Sequence, residues 1–151
     1  MKLLYIFLIS MVPLIEQRGA IPIGIIGYHI NPLTIFLVSL IGSFIPAPFV
    51  FLFFNKILGW MKTIKFLHKF TDFIEKKVQK GAKKVEKYME IGLTLFVGIP
   101  LPTTGLWTGT AIAAFMGLDF KKSMACVFLG GIISATIITT LSVMAPAILG
   151  F

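Results

Sequence analysis

Two apolar runs, Leu33–Phe54 and Ser123–Leu149, limit the folds open to this chain more than any other feature. Wound as α-helices they would rise about 33 and about 40 Å, enough to cross a hydrocarbon core about 30 Å thick. A bilayer offers no water to unpaired peptide groups, so such runs fold as helices there. Hydrophobic residues make up 57% of the 151, well above the share in a soluble domain. The chain therefore reads as one all-α integral membrane domain. Asn31-Pro32 predicts a turn with proline opening the first spanning helix, 33–54. Pro46 and Pro48 predict a kink near Phe44–Pro48, and Asn55-Lys56 is expected to end the helix. The second spanning helix is expected over 123–149.

Neither flanking apolar stretch is long enough to cross. Residues 3–15 would rise only about 20 Å as a helix, and Gly19–Tyr28 is shorter and weakened by Pro22 and Gly24. Between them lie Pro13, Glu16, Arg18 and Gly19. Short apolar arms around a Pro/Gly/charge apex predict a re-entrant hairpin over 3–28, its apex near Glu16–Gly19 and covered by protein. Residues 91–116 repeat the design: arm Ile91–Ile99, apex Pro100–Gly109, arm Thr110–Met116. Hairpin plus one crossing is an odd traverse, so the second half is expected to be inverted relative to the first, an architecture of transporters.

The formal charge of +8 is concentrated in the connector, where Lys56–Glu90 holds ten lysines against Asp72, Glu75, Glu86 and Glu90. Positive charge marks the cytoplasmic side, which places residues 56–90 in the cytoplasm of a multi-pass cell-membrane protein. Trp60, Ile64, Leu67, Thr71, Ile74, Val78, Gly81, Val85 and Tyr88 recur at helical spacing, so this connector is an amphipathic helix with a candidate break at Gly81. Two readings suit it: a helix packed on its own neighbours, or a helix lying on an anionic lipid surface with the stripe facing down. The second is the expectation. A nucleic-acid partner is not expected, because no groove-reading or stacking pattern accompanies the lysines.

An intramembrane carboxylate and guanidinium are costly, about 2.5–3.5 kcal/mol each at mid-membrane, and commonly mark a path or site. Arg18 offers a bidentate fork to a small anionic substrate or lipid head group, and Glu16 can carry a proton. Either the two serve transport, paired with each other or across the hairpins, or they only specify assembly. The second apex supplies Thr103, Thr104, Thr108 and the Trp107 indole, and an arm starting near Thr104 would aim its N-terminal amides at mid-membrane. Gly105 and Gly109 permit close backbone approach, at Gly109 for packing alone. Asp119 is expected to cap the last helix.

Other chemistries lack their residues. Cys126 is the only cysteine and His29 and His68 stand apart, so no metal site or cofactor is expected, and no hydrolase or nucleotide-binding motif occurs. Lys2 with Leu3–Ile9 imitates a signal peptide, but no A-x-A-like site precedes Glu16, so removal is not expected. With few walls to cover two polar apices, a homo-oligomer is expected.

Glu16-Gln-Arg-Gly-Ala-Ile-Pro22 with Gly24, and Pro100-Leu-Pro-Thr-Thr-Gly-Leu-Trp-Thr-Gly109, resemble the two signature stretches of the putative small multi-drug export protein family. That family is similar to the wider DedA/VTT superfamily. The resemblance covers nearly the whole chain. It implies two re-entrant hairpins packed with spanning helices in inverted halves. It also implies Pro13, Glu16, Arg18, Pro22, Pro100, Pro102, Thr104, Gly105, Trp107 and Gly109 as family positions. The function it implies is membrane transport: a proton-coupled carrier or a lipid flippase, with a non-transporting scaffold as the alternative.

Overall fold

The computed structural model describes residues 1–86, 89–102 and 104–150. Its secondary structure is helical throughout, with no strand among the described residues. Asn31 opens the longest apolar stretch as predicted: its side chain accepts a hydrogen bond from Leu33 N–H at 2.9 Å, and Pro32 stands at the first helical position. Helices α3 (Pro32–Phe44) and α4 (Pro46–Lys62) follow, separated only by Ile45. Pro46 and Pro48 withhold the N–H groups that the Gly42 and Phe44 carbonyls would take. Yet Ile45 keeps helical angles (φ −53°, ψ −43°), so the helix continues in the same sense. It also runs beyond the expected end at Asn55, because the Asn55 side-chain amide donates to the Ala114 carbonyl at 2.9 Å instead of stopping the chain. Pro32–Lys62 is thus one candidate membrane span, and Phe120–Pro146 is the other. The protein is an all-helical membrane protein.

Two helix–turn–helix units pack beside these spans. In the first, α1 (Lys2–Ser10) and α2 (Glu16–Pro22) are joined by residues 11–15. The tip therefore lies at Met11–Ile15, and Glu16–Gly19, expected to be the apex, form the first turn of α2. Leu14 (φ 78°) and Glu16 (φ 45°) adopt left-handed backbone that side-chain-bearing residues rarely take. After Pro22, which has no N–H to donate, the chain widens into a π-turn over Ile23–Gly27. The open end of this unit closes on itself: Lys2 Nζ lies 5.2 Å from the Tyr28 ring centre, and Tyr5 meets the same ring edge-on. In the second unit, α6 (Met89–Gly98) and α7 (Leu106–Phe115) pack together. Its open end is tied by Lys122 to Glu90 at 3.1 Å. The chain leaves α7 through residues 116–119 into α8 (Phe120–Leu149), where Asp119 accepts from Lys122 N–H at 3.0 Å as the expected cap.

Helix α8 is the wall that both units share. Its first half joins a core of Leu93, Val97, Leu106, Ile112 and Val127, and its second half joins one of Ile6, Ile21, Ile25, Ile35 and Ile138. Leu129, Ile133, Ile137 and Leu141, four residues apart, form an exposed apolar stripe, while Gly130, Ser134, Ala135 and Ile138 face inward. The glycines are used inside the chain. A Cβ on Gly130 would stand 2.6 Å from the Thr94 carbonyl, and one on Gly24 equally close to the Ile35 side chain. Gly109 backs onto Val97, which is the packing role expected of it.

The basic connector is interrupted earlier than expected. Ile64 is extended (φ −99°, ψ 108°) ahead of a 3-10 turn at Lys65–Leu67, and α5 (His68–Glu86) continues through Gly81. Its stripe turns inward: Thr71 and Val78 are buried and Ile74 packs on the core, so Phe66, Phe70 and Phe73 form the exposed apolar face instead. Tyr88, last of that stripe, and Thr103 lie outside the described residues.

The α6–α8 crossing gives a sharp test. Gly130→Val should cost about 1–3 kcal/mol, as overpacking of a close contact does. Gly59→Ala, with open space at its Cβ, should gain roughly 0.5–1 kcal/mol of helix propensity. Thermal unfolding in a mild detergent reads both. Equal behaviour of the two variants would refute the crossing.

Candidate functional site

The two tips meet. Glu16 opens α2 and is 4% exposed. Its carboxylate accepts hydrogen bonds from Leu106 N–H at 3.2 Å and Trp107 N–H at 3.0 Å, the first amides of α7. A helix N-terminus leaves such amides without internal partners and carries partial positive charge, so an anion is the natural cap. The amides expected at the start of this arm open α7, and the anion they hold is the chain's own. Gly105 makes this approach feasible, since a Cβ there would sit 2.6 Å from Glu16 Oε2. Trp107 adds a second tie: its Nε1–H donates to the Met11 carbonyl at 3.2 Å, closing α1 onto the same helix start.

Arg18 lies a little along α2 and bonds across the tips as well. Nη1 donates to the Leu101 carbonyl and Nη2 to Thr104 Oγ1 at 2.9 Å. The Thr104 hydroxyl is fully employed, donating to the Ile99 carbonyl at 2.6 Å while accepting from Leu101 N–H at 3.2 Å and from Arg18. Glu16 and Arg18 are not an ion pair. Among the described residues the ion pairs are Lys62–Glu75 and Lys122–Glu90. Two residues apart in a helix turn, the charged pair points in different directions and is satisfied by different parts of the opposite loop. Arg18 Nε and Gln17 Oε1 are buried without a hydrogen-bond partner.

Gln17, which the sequence reading passed over, is fully buried, and its Nε2 donates to the Gly131 carbonyl of α8 at 2.9 Å. A polar residue between two charges in apolar sequence was the available signal. Pro13, Pro102, Thr104 and Thr108 with Glu16, Arg18 and Trp107 enclose a small cavity of about 50 Å³. Through Pro13, Leu14, Trp107 and Thr108 it borders a larger apolar cavity of about 530 Å³ between α4, α5 and α7. Arg18 also borders a third cavity of about 390 Å³, with Pro22, Pro100 and the α8 residues Ile138 to Ala145. Of the residues singled out from sequence, Pro13, Glu16, Arg18, Pro102, Thr104, Gly105, Trp107 and Thr108 converge here, and Pro22 and Pro100 line the neighbouring cavity. Gly19 packs against Ile15 in its own turn, and Gly24 and Gly109 serve packing away from the tips.

The tip contact can be dissected. Glu16→Ala leaves two helix-start amides unpaired in a buried setting, a loss of about 1–3 kcal/mol for each group. Gly105→Ala should destabilise in the same way by displacing the carboxylate, and the double variant should lose clearly less than the sum. Hydrogen exchange at Leu106 and Trp107 should quicken in both single variants. Unchanged protection there in Glu16→Ala would show that the carboxylate does not hold α7.

Residues 16–137 match a family model described as Putative small multi-drug export protein. No curated protein and no solved structure matches the chain. The match begins at Glu16, takes in both tips and their contacts, and covers most of the chain. This chain belongs to the small multi-drug export protein family.

Proposed function

We propose that the protein is a proton-coupled carrier in which the two tips form the barrier between alternately exposed cavities. One observation carries this reading: Arg18 borders both the third cavity and the small cavity adjoining the apolar one, so that a single side chain stands between them. The helix–turn–helix units are re-entrant hairpins of an inverted pair. Their open ends, Lys2 with Tyr28 and Glu90 with Lys122, support this. So does the long α3–α4 helix, which starts beside the first open end and bonds Ala114, near the other open end, through Asn55. The lysine-rich end is cytoplasmic, in the cell membrane.

Arg18 is the group that meets an anionic solute or head group, giving up Leu101 and Thr104 as it does so. Glu16 couples a proton. Protonation removes the negative charge that the α7 amides hold, which loosens the tip contact and lets the cavities exchange access. No enzymatic step is assigned. The scaffold reading draws on the same hydrogen bonds, since both charges are satisfied within the chain. Assembly as a homodimer or larger would cover the second tip, where Leu101 and Pro102 stay exposed close to Arg18.

Three measurements bear on this. With Cys126→Ser as background, Leu3→Cys and Tyr28→Cys should label from the same side of the membrane; labelling from opposite sides would end the hairpin reading. In vesicles driven by a pH gradient, wild type should show solute or lipid flux that Arg18→Ala reduces at least tenfold. Glu16→Gln should make the remaining flux insensitive to the gradient. Wild-type vesicles without flux, or coupling intact in a folded Glu16→Gln protein, would favour the scaffold. Native mass spectrometry from mild detergent should show a dimer or larger, and an active monomer would refute the assembly.

A further inference from the structure

The apolar cavity of about 530 Å³ has a charge pattern that restricts what can occupy it. Phe54 and Met61 of α4, Phe73 of α5 and Trp107 and Ala111 of α7 represent a lining whose only charged member is Lys77. Among the described residues no carboxylate lies within 4.0 Å of the Lys77 ammonium, whereas Lys62, the last residue of α4, is taken by Glu75. The nearest acid in the adjoining cavity is Glu16, and its two oxygens are already bonded to the α7 amides. An organic cation would therefore meet a like charge and no counter-charge. An anion would meet an unpaired ammonium at the end of a flexible apolar stem, beside an apolar hole.

Its size suits a chain: at about 30 Å³ for each methylene, a cavity of about 530 Å³ is ample for one C18 alkyl chain. Cavities of about 300–1,000 Å³ with mostly apolar walls and a few placed polar groups are the usual form of a small-molecule site.

We infer that this cavity binds a single-chain amphiphile with an anionic head, the head on Lys77 and the chain running toward Trp107. This rests on the carrier reading for its purpose, since it names the substrate class that would reach the Arg18 barrier. It does not rest on that reading for its test.

Trp60→Phe leaves Trp107 as the sole tryptophan and removes no residue of the cavity lining. That protein, in nanodiscs of zwitterionic phospholipid, is titrated with a dibrominated C18 carboxylate, whose bromines quench tryptophan on contact. The trimethylammonium analogue of the same brominated chain serves as the cationic probe. The carboxylate should quench saturably, and the ammonium probe only to the non-saturating level set by its partition into the bilayer. Lys77→Gln should raise the half-saturating carboxylate concentration at least tenfold, in keeping with a charge-assisted contact. Ala111→Leu, which fills the cavity from the opposite wall, should remove the saturable part. Saturable quenching by the ammonium probe, an unchanged titration in Lys77→Gln, or no saturable quenching by either probe would each overturn the inference. The last result together with a dimer would assign the groove to a second copy of the chain. Saturable binding without flux in vesicles would leave the site standing and remove the carrier reading; flux without binding would do the reverse.

Discussion

Everything at the centre of this protein depends on one carboxylate placed on the start of one helix. Two hydrogen bonds to a charged acceptor, at about 1.5–3 kcal/mol each, outweigh the roughly 1–3 kcal/mol that left-handed backbone costs at a residue such as Glu16. The tight turn at Val12–Ile15 persists because its end is anchored on another element. The same anchor explains why position 105 must lack a side chain, and why Trp107 can reach back to Met11. Remove the carboxylate and each of these features loses its reason.

Much of the fold was legible from local chemistry. Asn31 with Pro32 announced a helix start that the structure places one residue before the expected 33, whereas the helix capped by Asp119 starts at Phe120, three residues before the expected 123. Prolines, glycines and charges in short apolar arms announced both tips. What could not be read was pairing. Glu16 bonds residues 90 and 91 positions away, and Arg18 bonds residues 83 and 86 away. Residue types alone carry no signal of such partners, so the choice between a local ion pair and contacts across the tips stayed open. Gln17 went unnoticed because an amide is cheap to imagine at a surface, and only its neighbour Gly131 reveals why it is buried.

The connector is instructive in the opposite direction. Its helical spacing is kept within α5 and broken at Ile64, and periodicity reports that a face is apolar and not what covers that face. Two faces of α5 are apolar: Thr71, Ile74 and Val78 meet the core, and Phe70 and Phe73 border the apolar cavity. Likewise Asn55-Lys56 had the composition of a helix end, yet the helix ran on because the Asn55 amide found the Ala114 carbonyl. Tertiary partners overrode local propensity at both places.

The long sequence separation of the central bonds has a consequence for biosynthesis. Ribosomes extend chains at about 5–20 residues per second. Gln17 therefore waits about 6–23 s before Gly131, 114 residues later, has been made. Over that interval the Gln17 amide has no partner, whereas Glu16 and Arg18 wait only for residues 101–107. A nascent chain truncated before residue 101 is thus a different chemical object from the finished protein, with Glu16, Gln17 and Arg18 lacking every partner that holds them across the fold.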